Sequence, residues 1–114
     1  MIVTVPNPVS WLRPTITLRF DTYSWFTMCE VNGIEFHQIG DLPESKLMIT
    51  LMFGAYVSQC RATARLERYG IKEFYNIWLK LRMQDVEKIK AAIIKSRVLG
   101  KSIEEWKGEG EKKK

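Results

Sequence analysis

Three rhythms of hydrophobic and polar residues run along the chain. Between Thr15 and Phe20, the apolar Ile16, Leu18 and Phe20 alternate with Thr15, Thr17 and Arg19. A period of two predicts a strand with one face in the core and one in water. From Leu47 to Val57 the chain reads L-M-I-T-L-M-F-G-A-Y-V without a charge, and the uncharged run continues to Cys60. Leu47, Met48, Leu51, Met52, Ala55 and Tyr56 fall at helical spacing, while Ile49 and Phe53 widen the apolar surface. A helix of that kind has to be covered on several sides. Later, Phe74, Ile77, Trp78 and Leu81 fit i, i+3, i+4, i+7, which predicts a short amphipathic helix over Lys72–Arg82. Val86, Ile89 and Ile93 line the inner face of another, over Val86–Leu99.

Capping residues set the expected boundaries. Asp41, Pro43 and Glu44 have the spacing of a capping box with proline in the first turn, so the central helix should start there. It is expected to run to Leu66 or Arg68, with Gly70 as the left-handed residue beyond it and Ile71 packing back. Asp85 is the expected cap of the following helix and Gly100 its stop. Ser102 and Glu105 form a second capping box, opening a last turn through Ile103 and Trp106. Residues 22–39 leave two readings open. Asp21 can cap a helix from Thr22 to about Val31, stopped by Gly33. Alternatively, Asn32-Gly33 can turn a hairpin, at the cost of setting Glu30 opposite Glu35. Met1–Pro14 holds three of the four prolines and reads as an extended arm.

These elements add up to a mainly α fold, a small helical domain with a short N-terminal β element. The arm covers residues 1–14, a single domain residues 15–106, and a charged tail residues 107–114. A chain of 114 residues supports one core, and 46% hydrophobic with 27% charged residues is ordinary globular composition. The central run reaches about 21 Å as a helix, short of a bilayer's hydrocarbon core of about 30 Å. The start lacks a basic and then apolar leader, so no signal peptide is expected, and Cys29 and Cys60 read as reduced thiols. The expectation is a protein without a membrane segment, placed in the cytoplasm.

Charge changes the picture in the second half. Residues 1–60 carry three basic and five acidic side chains, whereas residues 61–101 carry eleven and four. Such asymmetry points to an acidic partner, and nucleic acid is one candidate. Arg61, Arg65 and Arg68 would stack at i, i+4, i+7 on the extended central helix, with Lys72 beyond and Tyr69 and Tyr75 available for stacking. No known nucleic-acid-binding motif accompanies them. Catalytic motifs are absent too: one histidine, His37, no paired cysteines, no nucleophile elbow and no phosphate loop. The reading is a non-enzyme without cofactor or metal. The surplus of large apolar and methionine side chains favours protein binding or self-association instead.

One resemblance goes further. The order of T-I-T-L-R-F, then D-T-Y-S-W-F-T-M-C-E-V-N-G-I, then an apolar helix after L-P-E-S resembles the tail assembly chaperones of long-tailed bacteriophages and prophages. The F-G-A-Y segment at Phe53–Tyr56 and the closing M-Q-D-V-E-K-I-K-A-A-I-I are similar to segments of that family, over roughly residues 15–106. The resemblance favours a helix at residues 22–31. It departs at the N-terminus, where many members have a strand pair and this chain has the proline-rich arm. It implies a non-catalytic role in virion assembly, in which a self-associating oligomer coats the helical tape measure protein before the tail tube polymerises. On that reading Met48, Met52, Phe53, Tyr56, Ile89 and Ile93 would meet the tape measure or another subunit, in the cytoplasm of the bacterial host.

Overall fold

The computed structural model describes residues 1–9, 14–98 and 101–102. Its first two elements pair: β1 (Ile2–Pro6) and β2 (Thr15–Arg19) form an antiparallel hairpin in which Val3 faces Leu18 and Val5 faces Ile16. Ile16, Leu18 and Phe20 are buried, as their alternation predicts. Within the segment expected to be an extended arm, Ile2–Pro6 is therefore a paired strand. Its prolines are compatible with pairing because of where they fall. The ladder bonds run through Met1 and Phe20 at one end and from Asn7 N to the Pro14 carbonyl at the other. By alternation, the N–H groups of Ile2 and Thr4 and the nitrogen of Pro6 point away from β2, so Pro6 removes no bond.

Helix α1 (Thr22–Asn32) settles the open choice at residues 22–39 against the hairpin. Asp21 accepts the Ser24 backbone N–H at 3.0 Å, and the Ser24 hydroxyl accepts the Asp21 N–H at 2.9 Å, a reciprocal capping box. At the other end Gly33 takes φ 64°, and the N–H groups of Gly33 and Ile34 close on the Glu30 and Cys29 carbonyls. A 3-10 helix (Phe36–Asp41) leads into α2 (Glu44–Ala62). Asp41 ends that 3-10 helix and does not cap α2; Pro43 is the N-cap, without a side-chain bond.

α2 also ends earlier than its pattern suggests. Ala64 adopts φ 54°, and the N–H groups of Ala64 and Arg65 return to the Arg61 and Cys60 carbonyls. This is the same terminator that Gly33 builds on α1, made here with alanine. Residues 65–70 then run irregularly to α3 (Ile71–Lys80), so Gly70 is the N-cap of α3, not the stop of α2. α4 (Met83–Lys95) follows. Its cap is Arg82, and Asp85 lies buried in the first turn, 3.2 Å from the Arg82 guanidinium. The chain then forms a small hairpin of β3 (Arg97–Val98) and β4 (Lys101–Ser102). The helix expected to reach Leu99 stops at Lys95, and Ser102 is in a strand and does not open a helix. Gly100, Glu105 and the tail at 107–114 lie outside the described residues.

A stripe of small residues, Thr50, Gly54 and Ser58, explains how α2 is covered. Spaced at four, they share the face of α2 that meets α1. At one end the Ser58 hydroxyl donates to the Asp21 carboxylate, at 2.8 and 2.9 Å to its two oxygens. At the other, the Asn32 amide donates to the Thr50 hydroxyl at 2.9 Å, and Thr50 donates to the Lys46 carbonyl at 2.6 Å. Between them a β-carbon on Gly54 would collide with the Ser24 carbonyl oxygen. The two helices run antiparallel at close approach. β2 and α3 take other sides of α2, and α4 packs against β1.

Candidate interaction surfaces

The six residues expected to meet a partner lie inside or against the core. Met52 and Ile89 are fully buried, and Met48 and Ile93 nearly so. Phe53 and Tyr56 are half-buried and pack on Phe74, with ring centroids 5.9 and 5.3 Å away. The apolar circumference of α2 is used within one chain because α1, β2 and α3 each take a side. None of the six offers an open docking face.

Tyr56 has a structural task instead. Its hydroxyl accepts the Arg68 backbone N–H at 2.7 Å, and its ring lies 5.7 Å from Tyr69. Tyr69 in turn accepts the Asn7 side-chain amide at 3.0 Å. The irregular stretch after α2 is thus fastened to α2 and to the end of β1. Burial pushes the Tyr56 phenol up from its ordinary pKa, with the neighbouring Cys60 adding to the effect. Burial, and then Glu35, likewise raise the Cys29 thiol.

The basic residues Arg61, Arg65, Arg68 and Lys72 are all exposed, but they do not form a helical stripe. The Ala64 terminator places Arg61 on α2, Arg65 and Arg68 on the irregular segment, and Lys72 on α3. Arg61 lies over the Tyr23 ring, 4.4 Å from its centroid. Beside it is a shallow recess of about 290 Å³ lined by Asp21, Tyr23, Ser58, Arg61 and Ala62. The Asp21 carboxylate there is taken up by Ser24 and Ser58. It acts as a cap and tie between helices.

Outside the core, several large apolar side chains face solvent in the basic half. Leu66 is 83% exposed, Leu79 79% and Met83 73%, with Tyr75 and Ile94 also exposed. Tyr75 and Leu79 are one turn apart on the outer face of α3, and Met83 opens α4 just beyond the bend. Lys72, Lys80, Arg82 and Lys88 are exposed around them in the sequence. Leu79 was legible in advance, as an apolar residue standing off the Phe74–Ile77–Trp78–Leu81 stripe. No group of three or more His, Cys, Asp and Glu side chains among the described residues is arranged to hold a metal ion. His37 is exposed on the 3-10 helix. No helix among the described residues is long and apolar enough to cross a membrane. No family model, no curated protein and no solved structure matches the chain.

Proposed function

We propose that the chain is a non-catalytic tail assembly chaperone of a long-tailed bacteriophage or prophage, a self-associating protein that binds the tape measure protein before tube polymerisation. The observation that carries the reading is the exposure of Leu79 and Met83, beside Tyr75, on a domain whose own core is already complete. Large apolar side chains left in water on a small domain mark a protein-binding surface more readily than a catalytic one. Exposed methionine and leucine, with exposed basic residues near them in the sequence, suit the apolar face of a client helix. The order of elements adds support: strand, capped helix with a glycine stop, apolar central helix and late amphipathic helix follow the sequence resemblance. The surface differs from the one that resemblance implied, because the α2 residues are enclosed.

Co-expression with a tape measure protein tests this. The wild-type chain should raise the soluble fraction of the client, and the double variant L79D/M83D should lose that effect while keeping its helical circular dichroism. Client aggregation unchanged by the wild-type chain would sink the proposal. Salt-sensitive retention of nucleic acid in a mobility-shift assay, lost in R65A/R68A, would favour nucleic-acid binding in its place.

A further inference from the structure

The N-terminal hairpin is a sheet of only two strands, and the outer edge of β1 has no partner among the described residues. The outward residues of that edge are Ile2, Thr4 and Pro6. All three are exposed, Ile2 to 50%. On the outer edge of β2 the corresponding Thr17 and Arg19 are half-covered, and Arg19 is engaged by Gln59 at 3.1 Å. An open edge is a template for another strand.

We infer that β1 pairs antiparallel with β1 of a second copy of this chain, about a two-fold axis at Thr4, to make a continuous four-stranded sheet. The geometry follows from the register. With Thr4 on the axis, Ile2–Pro6 overlaps the partner's Ile2–Pro6 over its full length. Thr4 and its symmetry mate exchange both of their outward hydrogen bonds. The Ile2 N–H of each copy meets the Pro6 carbonyl of the other, where no N–H from Pro6 is needed. Four hydrogen bonds form, and proline costs only the two that would return to the Ile2 carbonyls.

Charge and side chains argue for a second copy as the occupant. Across a two-fold axis every charged side chain near the centre approaches its own like charge, and β1 carries none. The basic half of the chain lacks that property. On the outer face the Thr4 and Thr17 hydroxyls already lie 3.1 Å apart. Pairing extends this into a row of four threonines across the sheet, with Ile2 covered by the partner's Pro6. The edge shares no residue with the Leu79 and Met83 surface, and the inference is argued from β1 alone.

Sedimentation velocity over roughly 1–300 µM, paired with a cross-linking series, tests it. The wild-type chain should dimerise reversibly. Thr4→Pro removes an outward N–H, no backbone bond of the monomer's own ladder and only the exposed Thr4–Thr17 hydroxyl contact, so it should weaken the dimer at least about tenfold with an unchanged circular dichroism spectrum. Under diamide, T4C should form a cross-linked dimer, because paired residues at the axis sit about 5.5 Å apart, within disulfide reach. T17C should not, because two further strand spacings put its mates about 14 Å apart. A wild-type chain that stays monomeric, a T4P variant that associates as tightly, or equal cross-linking of T17C would each overturn the inference. The client assay reports separately: a monomeric chain would also remove self-association from the proposed function, while association that survives T4P would overturn the β1 pairing alone, and client binding keeps its own test.

Discussion

Replacing Gly54 with alanine adds one methyl group where α2 crosses α1. Two effects of opposite sign then compete. Alanine is the better helix former, and in an open helix the change would stabilise by about 1 kcal/mol. Here the new β-carbon runs into the Ser24 carbonyl oxygen, and lies 3.4 Å from the Thr27 side chain. A backbone oxygen inside a capped helix cannot swing away as a lysine tip can, so the helices must separate. Overpacking of that sort costs about 1–3 kcal/mol. Separation also stretches the Ser58–Asp21 and Thr50–Asn32 bonds that fasten the two ends, each contributing about 1 kcal/mol. The net expectation is a loss of about 1–3 kcal/mol, and in a domain of this size each lost kcal/mol lowers Tm by about 4–8 °C. Urea unfolding followed by far-UV circular dichroism measures it. Two other glycines calibrate the result. Gly40 has open space and no left-handed φ, so Gly40→Ala should be near neutral. Gly33 has open space but φ 64°, so Gly33→Ala should cost about 1 kcal/mol through the backbone alone. A G54A protein as stable as the parent would refute the close-crossing argument.

Ala64 holds a left-handed conformation that glycine adopts freely, so Ala64→Gly should stabilise by about 0.5 kcal/mol and Ala64→Val should destabilise, both read by thermal melting. Asp21→Ala removes the α1 cap and strands the Ser58 hydroxyl, and chemical unfolding should report a loss of about 2 kcal/mol. In a double-mutant cycle with Ser58→Ala the two losses should be less than additive, since both variants break the same bond. The raised pKa values of Cys29 and Tyr56 mean that the folded state holds these protons more tightly than the unfolded state. Their contribution is complete below the unfolded pKa values and is lost as pH rises through the folded ones. Unfolding midpoints should therefore fall above about pH 9, and Tyr56→Phe should flatten the decline beyond about pH 10.

Periodicity carried most of the fold. β2, the two amphipathic helices and the central apolar helix all sit where alternation or helical spacing puts them. The α1 boundaries followed from Asp21 and Gly33, whose chemistry is unambiguous once a helix is chosen. What was illegible had local causes. The end of α2 is written in Ala64, a residue that seldom terminates a helix, so Gly70 looked like the stop. Valines at 3 and 5 alternate with Thr4 in β1, but three nearby prolines hid the strand, since only its pairing shows which nitrogens face outward. Four of the six partner residues were sought on α2, and Ile89 and Ile93 on α4, because the apolar circumference of α2 looked too wide for one chain to cover. The Thr50–Gly54–Ser58 stripe removes that surplus by letting α1 lie close. Of the apolar side chains that remain exposed, Leu79 stood off the Phe74–Ile77–Trp78–Leu81 stripe in the sequence, whereas Met83 fell between the two predicted helices and carried no such signal.

The contact between α4 and β1 has a consequence for how the chain matures as it is made. Synthesis delivers β1 before the helix that packs on it. The α1–α2 pair has its cap, its glycine crossing and its hydroxyl ties within residues 21–62, so it can assemble from neighbouring segments soon after they emerge. Val5, buried in the finished core, has to wait until residues 83–95 have left the ribosome. A nascent chain that has emerged from the ribosome only as far as α3 would therefore present a formed helical pair beside a strand whose inner face is still wet. That intermediate, more than the completed domain, is the species prone to stick to its neighbours.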